Sequence, residues 1–308
     1  QQIEQIDLQI SAARRQKLAL ESRKDFLKFV QFTMPHPEDP DDATRSAFEV
    51  ARHHEGIANA LERVERGKIK RLIVTLPPRH GKSEMVSRRF IPWLMGKHPR
   101  ENLIFATYNE DFANDFGSDC RSVMTSPQFL QVFPEFGFRQ GNISKGKLQT
   151  EQGGAAFFVG RGGSITGRGG CVILDDPIKD AVEAQSPTLR ETLWNWFTQV
   201  LMTRLTTSKA FVVIVQTRWH EDDLVGRLTD PMNPHFNEDK AKKWKLINLP
   251  AFAGESDPLK REPGEVLWPQ RFDREFLEGQ RGLDPRGFAS LYQQQPSPED
   301  GDLFRREH

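Results

Sequence analysis

The feature that most constrains this chain is an apolar run, Leu72 to Leu76, followed at once by a loop and a helix-forming segment. The run is short and rich in branched side chains, which is typical of a buried parallel strand. Pro77-Pro78 ends it, and Gly81-Lys82-Ser83 leads into a segment from Glu84 with apolar residues available for burial. Backbone N–H groups in a loop that precedes a helix bind anions. The order of strand, loop and helix therefore predicts a phosphate-binding loop.

Two residues of this loop have clear roles in nucleotide binding. We expect Lys82 to reach the β- and γ-phosphates and the Ser83 hydroxyl to hold Mg²⁺. The loop departs from the GxxxxGK[ST] pattern at its first position, where Leu76 replaces glycine. The alternative, a surface turn before a helix, leaves a cluster of nearby cations without a role. These cations are Arg79, Lys82, Arg88 and Arg89.

Composition limits the class of protein. The 308 residues allow one large α/β domain, or a domain with a subdomain. Lys+Arg and Asp+Glu both number 43, so the net charge does not by itself indicate a nucleic-acid partner. Cys120 and Cys171 form no metal-binding pattern, which favours a reducing compartment. No apolar run approaches the length of a membrane span and the N-terminus does not resemble a signal peptide, so we expect a soluble intracellular protein.

A second apolar run, Cys171 to Asp176, ends in two carboxylates. The carboxyl ends of strands in an open α/β sheet face the ligand crevice. We therefore expect Asp175 to be a partner of Mg²⁺ beside Ser83, and Asp176 to orient or deprotonate the attacking water. Gly160 to Gly170, directly before this strand, is rich in glycine. Its composition favours a flexible hairpin loop, and its position favours a phosphate-facing loop equally.

The rest of the chain alternates between helical and strand patterns. Residues 1–30 are predicted to form an arm of two helices, with Phe26 to Phe32 docked on the body, before an exposed loop at Met34 to Thr44. Further helices are predicted over Phe48 to Val64, Asn109 to Met124, Pro187 to Arg204, Glu221 to Leu228 and Asp273 to Tyr292. Further strands are predicted over Asn102 to Thr107, Lys147 to Val159, Phe211 to Val215 and Trp244 to Leu249. This alternation predicts an α/β fold with a mostly parallel central sheet flanked by helices.

Five stretches carry a resemblance to a known family. They are LPPRHGKSEMVSRRF, ATYNEDFANDFG, GRGGSITGRGGCVILDDPIKD, VVIVQTRWHEDDLVGRL and YQQQPSPEDGDLF. From about Phe26 to Phe304 the chain resembles the ATPase domain of the large terminase subunit of tailed bacteriophages. The resemblance implies a P-loop NTPase fold with a small lid, which uses ATP and Mg²⁺ to translocate double-stranded DNA into procapsids. It also implies a homo-oligomeric ring, the portal protein and the small terminase subunit as partners, no membrane, and a location in the host cell cytoplasm.

The resemblance assigns roles to several motifs. Leu76 to Ser83 matches the variant Walker A loop, Asp175-Asp176 matches the Walker B pair, and Gln216-Thr217-Arg218 matches the coupling motif. The family often has glutamate at the second Walker B position, so Glu183 is an alternative to Asp176 as the catalytic carboxylate. The expected nucleotide contacts are Pro78, Arg79, His80, Gly81, Lys82, Ser83, Gln31 and Thr217.

Arginines and the adenine-binding region are also suggested by the resemblance. Arg168, or else Arg161, lies where related motors place an arginine that reaches a neighbour's nucleotide. Arg79 could supply the same charge within one subunit. The segments around Gln31-Phe32 and His54 match the region that contacts adenine.

The resemblance also implies a division of the chain. We expect a helical arm and loop over residues 1–46, an ATPase core over 47–243, and a lid over 244–300. Residues 301–308 would begin a linker, because Gly301 to Phe304 resembles the junction with an RNase H-like nuclease. We therefore expect no DNA-cleavage site in this chain.

Three other functional classes are left open by the sequence. A helicase-type or remodelling ATPase would share the same loop and carboxylates, and a P-loop kinase would share the loop. A binding module without turnover is disfavoured, because nucleotide binding alone does not need a water-orienting carboxylate such as Asp176. No set of residues suggests the phosphoacceptor pocket of a kinase. Hydrolysis stimulated by duplex DNA, and strand unwinding, would separate these classes.

Overall fold

The computed structural model describes residues 2–297, except 142, 143 and 145. Its centre is a seven-stranded sheet in the order β3-β4-β2-β5-β6-β1-β7. The strands are β1 Arg71–Thr75, β2 Asn102–Thr107, β3 Lys147–Gln149, β4 Ala155–Gly160, β5 Cys171–Asp175, β6 Val212–Gln216 and β7 Lys245–Asn248. All neighbouring pairs are parallel except β3–β4, which is antiparallel. The predicted α/β class with a mostly parallel sheet is confirmed.

The central strands are apolar along their whole length because both faces of the sheet are covered. Side chains alternate between the two faces along each strand. In β1, Leu72 and Val74 pack into one core, whereas Ile73 packs into the core on the opposite face. Since the strands are parallel, their carboxyl ends meet at one edge of the sheet, and this edge is where the predicted Walker motifs lie.

Helices cover both faces of the sheet. They are α1 Gln2–Ser22, α2 Phe26–Phe32, α3 Arg52–Glu65, α4 Ile91–Lys97, α5 Glu110–Met124, α6 Pro127–Val132, α7 Ala181–Gln185, α8 Pro187–Asn195, α9 Leu224–Thr229, α10 Glu238–Ala241, α11 Arg274–Leu283 and α12 Pro285–Gly287. Wider π-helical turns precede α4 at Glu84–Phe90, follow α8 at Trp196–Leu201 and follow α12 at Phe288–Tyr292. A 3₁₀ turn at Met202–Arg204 completes the predicted helix from Pro187 to Arg204. Within the described residues, no helix is both long and apolar enough to cross a membrane.

The N-terminal arm docks as predicted. The Phe26 ring at the start of α2 lies 5.4 Å from the Phe90 ring and 5.3 Å from the Trp93 ring, measured between centroids. The helix predicted to begin at Phe48 instead begins at Arg52, because Ala51 is still extended. Phe48 is buried in the preceding loop, with its ring 4.8 Å from that of His54. The apolar pattern before α3 therefore reflects burial of a loop.

The predicted boundary between the ATPase core and the lid differs from the structure at strand β7. Strand β7 was assigned to the lid, but it pairs with β1 in register from Leu72↔Lys245 to Thr75↔Asn248 and belongs to the main sheet. The C-terminal segment, residues 250–297, has a small apolar core of its own that includes Phe252, Leu277 and Phe288. Residues 301–308, predicted to begin a linker, lie outside the described residues.

Candidate active site

The loop after β1 turns sharply over the start of the next helical segment. Arg79 and Gly81 both adopt left-handed backbone conformations, with φ of 64° and 83°. This conformation is unfavourable for arginine and routine for glycine. A Cβ atom at Gly81 would also lie 2.6 Å from Nε2 of His54, so that position requires glycine. The loop therefore packs tightly against α3 on one side and faces a cavity on the other.

A cavity of about 980 Å³ opens in front of the loop. Pro78, Arg79, Gly81, Lys82 and Ser83 line it from the loop, and Asp176 contributes a carboxylate. This volume is at the upper end of the range for small-molecule sites in proteins. Five of the predicted nucleotide contacts therefore share one cavity that is large enough for a nucleotide.

Lys82 and Asp176 face each other in this cavity. Their Nζ and Oδ2 atoms lie 2.9 Å apart. Burial alone would lower the pKa of Lys82, but the carboxylates of Asp176 and Asp175 outweigh it and raise that pKa. The lysine is therefore a fixed positive charge at the loop, held by the pair of aspartates at the end of β5.

Asp175 is fully buried at the end of β5. Its Oδ2 accepts a 2.5 Å hydrogen bond from the Ser87 hydroxyl, and among the described residues its Oδ1 has no hydrogen-bond partner. Burial and the charge of Asp176 raise the pKa of Asp175 to about 6, although Lys82 and Ser87 oppose this shift. A buried carboxylate oxygen without a partner fits a site for a hydrated cation. Among the described residues, no group of three or more His, Cys, Asp or Glu side chains could hold a metal, so such a cation would depend on ligand oxygens and water.

Thr217 ties three strand ends together. Its N–H donates to Oδ1 of Asp176 at 3.0 Å, and its hydroxyl donates to the Leu76 carbonyl at 3.3 Å. Asp176 itself has a left-handed backbone, with φ of 39°. Thr217 is buried, and within the described part of the chain it is not among the residues that line the cavity. Its hydrogen bonds position Asp176 and the loop, whereas a nucleotide contact was predicted.

The other residues of the predicted coupling motif connect β6 with the C-terminal segment. The Nε of Arg218 and the side-chain amide of Gln216 both donate to Asp223, at 2.6 and 3.1 Å. The Arg218 N–H donates to Oε1 of Gln294 at 3.0 Å. Arg218 thus connects the end of β6 to Gln294 in the C-terminal segment, while Gln216 and Arg218 both bind Asp223.

Glu183 and Arg161 are ion-paired with each other. A second oxygen of Glu183 accepts the N–H of Lys179 at 2.7 Å, and Arg161 also donates to the Pro177 carbonyl at 3.1 Å. Within the described residues, neither Glu183 nor Arg161 lines the cavity. Both side chains instead hold the segment that follows Asp176.

Arg168 and Arg79 occupy different positions. The Arg168 guanidinium lies over the Phe157 ring, 5.0 Å from its centroid, and within the described residues Arg168 does not line its own subunit's cavity. Arg79 is exposed and lines the cavity directly. The two predicted candidates for the arginine are therefore separated, one beside the cavity and one away from it.

The residues named for the region that contacts adenine, Gln31, Phe32 and His54, are not among the described residues that line the cavity. His54 is fully buried beneath the loop. The His80 imidazole is buried and stacks on the Phe272 ring at 4.6 Å, so only its backbone remains available to a nucleotide. The cavity wall is formed instead by side chains to which the sequence assigned no contact with the nucleotide. They include Met34, Phe48, Arg88, Phe116, Trp268 and Arg271.

Comparison with known proteins identifies the family. A family model described as "Terminase large subunit, T4likevirus-type, N-terminal" matches residues 73–306. This chain belongs to that family. No curated protein matches it in sequence.

Solved terminase structures share the fold. The large terminase of bacteriophage HK97 is 12% identical with a TM-score of 0.54, over 92% of this chain and 55% of that one, so this chain spans about half its length. The ATPase domain of the Thermus phage P74-26 large terminase is 14% identical with a TM-score of 0.50, over 80% of this chain and 93% of that one. A mutant of that domain gives a TM-score of 0.51. The predicted terminase family and P-loop fold are both confirmed.

Proposed function

We propose that this chain is the ATP-hydrolysing motor domain of a viral large terminase, which moves double-stranded DNA into procapsids. The observation that carries the proposal is the contact of Lys82 with Asp176 at one end of a nucleotide-sized cavity, beside the buried carboxylate of Asp175. A lysine on a loop before a helix binds phosphates, and two carboxylates at a neighbouring strand end serve the cation and the water. Family membership supports the same activity.

The loop binds the phosphates of ATP. Lys82 supplies a compact positive charge, and the backbone around Gly81 supplies N–H donors. Arg79 lies beside the cavity, where its guanidinium can contact the same anion. The apolar side chains of Met34, Phe48 and Trp268 offer surfaces for the base.

The residues present fit a magnesium ion next to the phosphates. The Ser83 hydroxyl and the unpaired oxygen of Asp175 would hold it, directly or through its water. When bound, Mg²⁺ neutralises charge on the phosphate oxygens. Ser87 keeps Asp175 oriented through their hydrogen bond.

Asp176 orients the water that attacks the terminal phosphate and accepts its proton. Thr217 fixes one oxygen of this carboxylate, so that the other, now paired with Lys82, is the one that can turn to the water. Glu183 is the alternative, although its ion pair with Arg161 must break before it can act. Arg168 from a neighbouring subunit, or Arg79 from the same one, stabilises the transferring phosphoryl group.

The partners follow from the family and belong to the same proposal. They are double-stranded DNA, the portal protein, the small terminase subunit and further copies of this chain in a ring. The motor acts in the host cell cytoplasm, on the procapsid.

An ATPase assay with and without duplex DNA and procapsids tests this function. We expect hydrolysis that duplex DNA or procapsids stimulate, and no separation of the strands of a labelled duplex. Strand separation would indicate a helicase instead. Transfer of phosphate to a small molecule, or binding of ATP without turnover under all of these conditions, would contradict the proposal.

A further inference from the structure

Two histidines of α3 converge on one carbonyl group of the phosphate-binding loop. Nε2 of His53 lies 3.1 Å and Nε2 of His54 lies 3.3 Å from the carbonyl oxygen of His80. Both imidazoles are fully buried.

The tautomers of both rings follow from their partners. A carbonyl oxygen only accepts, so each Nε2 must carry the hydrogen. Nδ1 of His54 accepts the N–H of Ala51 at 3.0 Å, which fits the same tautomer. Burial lowers the pKa of His53 to about 2 and that of His54 to about 4, so both rings are neutral at pH 7. Each neutral ring has a single N–H, and both of these point at the His80 oxygen.

This arrangement fixes the direction of the next N–H group. In a trans peptide the C=O and the following N–H point in opposite directions, and the described residues contain no cis peptide bond. The His80 carbonyl points down towards α3. The N–H of Gly81 therefore points away from α3, towards the cavity that Gly81 lines.

The contact between α3 and the loop is close on every side. A Cβ atom at Gly81 would lie 2.6 Å from Nε2 of His54. The Trp268 ring covers both imidazoles, with centroids 5.3 Å from His53 and 4.8 Å from His54. Rotation of the His80–Gly81 peptide would break two hydrogen bonds between buried groups, where lost hydrogen bonds are costly.

We propose that His53 and His54 are positioning residues, which hold the His80–Gly81 peptide so that the Gly81 N–H donates to a phosphate of the bound nucleotide. This inference rests on the proposed function, because it needs a phosphate in the cavity. The histidines act through the loop backbone and do not touch the nucleotide. The two histidines hold the peptide through their N–H donors, and apolar side chains of the same size would not hold it in this way.

Substitutions that keep or remove the N–H donors separate the effect of hydrogen bonding from the effect of packing. Glutamine places an amide N–H at a reach similar to Nε2 of histidine, whereas leucine fills similar space without a donor. Isothermal titration with ADP, and with adenosine as the phosphate-free probe, is carried out on the wild type and on the paired variants His53→Leu/His54→Leu and His53→Gln/His54→Gln. Ile57 is buried on the core side of α3, so Ile57→Val is the control for a loss of packing without a loss of hydrogen bonds.

The expected result is a loss specific to the phosphates. Each hydrogen bond changes an equilibrium constant by about three- to tenfold, so the leucine pair should bind ADP at least about tenfold more weakly. The glutamine pair should stay within about threefold of the wild type, and Ile57→Val should not change the affinity. Adenosine binding should be the same in all variants.

The outcomes distinguish this inference from the proposed function. Failure of the wild type to bind ADP overturns both. If the leucine pair binds ADP as tightly as the wild type does, only the positioning role is overturned. The same holds if the leucine and glutamine pairs lose ADP affinity equally. If the leucine pair does not fold, His53→Leu against His53→Gln gives the same comparison, because Nε2 of His53 bonds only to His80 among the described residues.

Discussion

Lys82 and Asp176 contact each other across the cavity, although the proposed reaction needs each of them elsewhere. Lys82 belongs at the phosphates and Asp176 at the attacking water. A triphosphate attracts the lysine more strongly than one carboxylate does, because it carries more charge at a comparable distance. We therefore expect ATP to draw Lys82 away and to free Asp176. One side chain would then link nucleotide binding to activation of the water.

Lys82→Ala should abolish hydrolysis and weaken nucleotide binding by about tenfold or more, because a charge-assisted contact with the phosphates is lost. Steady-state phosphate release and titration with ADP measure the two effects. Arg89→Ala is a suitable control, since Arg89 pairs with Glu84 and Thr33 and is not among the described residues that line the cavity. Turnover at the wild-type rate in Lys82→Ala would remove the basis for the nucleotide site.

Asp176→Asn should behave differently, because it keeps the shape of the side chain but removes the base. ATP should remain bound through Lys82 and Ser83, while the rate of hydrolysis should fall by about 10²–10⁴-fold. Single-turnover kinetics with bound ATP separates binding from cleavage. Glu183→Gln is the matched variant, and we expect it to weaken the ion pair with Arg161 while hydrolysis continues. If Asp176→Asn is active and Glu183→Gln is not, Glu183 is the catalytic carboxylate.

Among single residues, the sequence could place those that directly follow a predicted strand. Lys82, Ser83 and Asp176 each follow a buried strand, so local order alone brings them to one edge of a parallel sheet. His54 was matched to the region that contacts adenine by resemblance to the family, and a resemblance does not show on which side of the loop a side chain lies; in the structure His54 is buried beneath the loop. The pairing of Arg161 with Glu183 depends on how two separate segments pack, and no periodicity encodes that.

At the scale of elements, the segment between β4 and β5 has a glycine on each side of Arg168. These glycines allow close approach to another chain, and the half-buried guanidinium lies over the Phe157 ring of β4. Arg168→Ala should lower turnover by about 10³–10⁵-fold if this arginine serves a neighbouring subunit. Mixing Arg168→Ala with Lys82→Ala subunits should then restore activity, because an intact Arg168 can serve the intact loop next to it.

The mixing experiment needs proof that the two variants assemble together. Labelled subunits and size-exclusion chromatography supply this proof. Mixtures that assemble but stay inactive would count against a role in trans and favour Arg79, which lines the cavity of its own subunit. Arg79→Ala alone would then show the same loss of turnover.

Most elements could be predicted from the sequence, and each error has a physical cause. Strand β2 was predicted with its observed bounds because its apolar run is too short for a typical helix, which favours a buried strand. The helix α3 was predicted too long because Phe48 is apolar for a different reason, the burial of a loop over His54. The strand β7 was placed in the lid because its partner β1 lies far away in sequence, and pairing over such a distance leaves no local signal.

At the scale of the whole molecule, the buried histidines make stability depend on pH. Burial lowers the pKa of His53 to about 2 and those of His54 and His80 to about 4, while in the unfolded chain each titrates near its ordinary value of 6.5. Lys82, Arg261 and Arg271 face the cluster and act in the same direction. Between pH 6.5 and 4 the unfolded state therefore binds more protons, and stability falls as pH falls.

Asp175 opposes this trend, since its pKa is raised to about 6 and the native state takes up its proton first. In this range the unfolded state binds about three more protons on the histidines, and the native state binds about one more on Asp175. The unfolded state therefore binds about two more protons in total, so the free energy of unfolding should fall by about 3 kcal/mol per pH unit between about pH 6 and pH 4.5. Urea unfolding at pH 7.0, 6.0 and 5.0 measures this slope. His53→Gln removes one titrating group and should reduce the slope by about 1.4 kcal/mol per pH unit. A wild-type stability at pH 5.0 equal to or greater than that at pH 7.0 would contradict the prediction that the three histidines stay neutral in the native state while the unfolded chain takes up their protons.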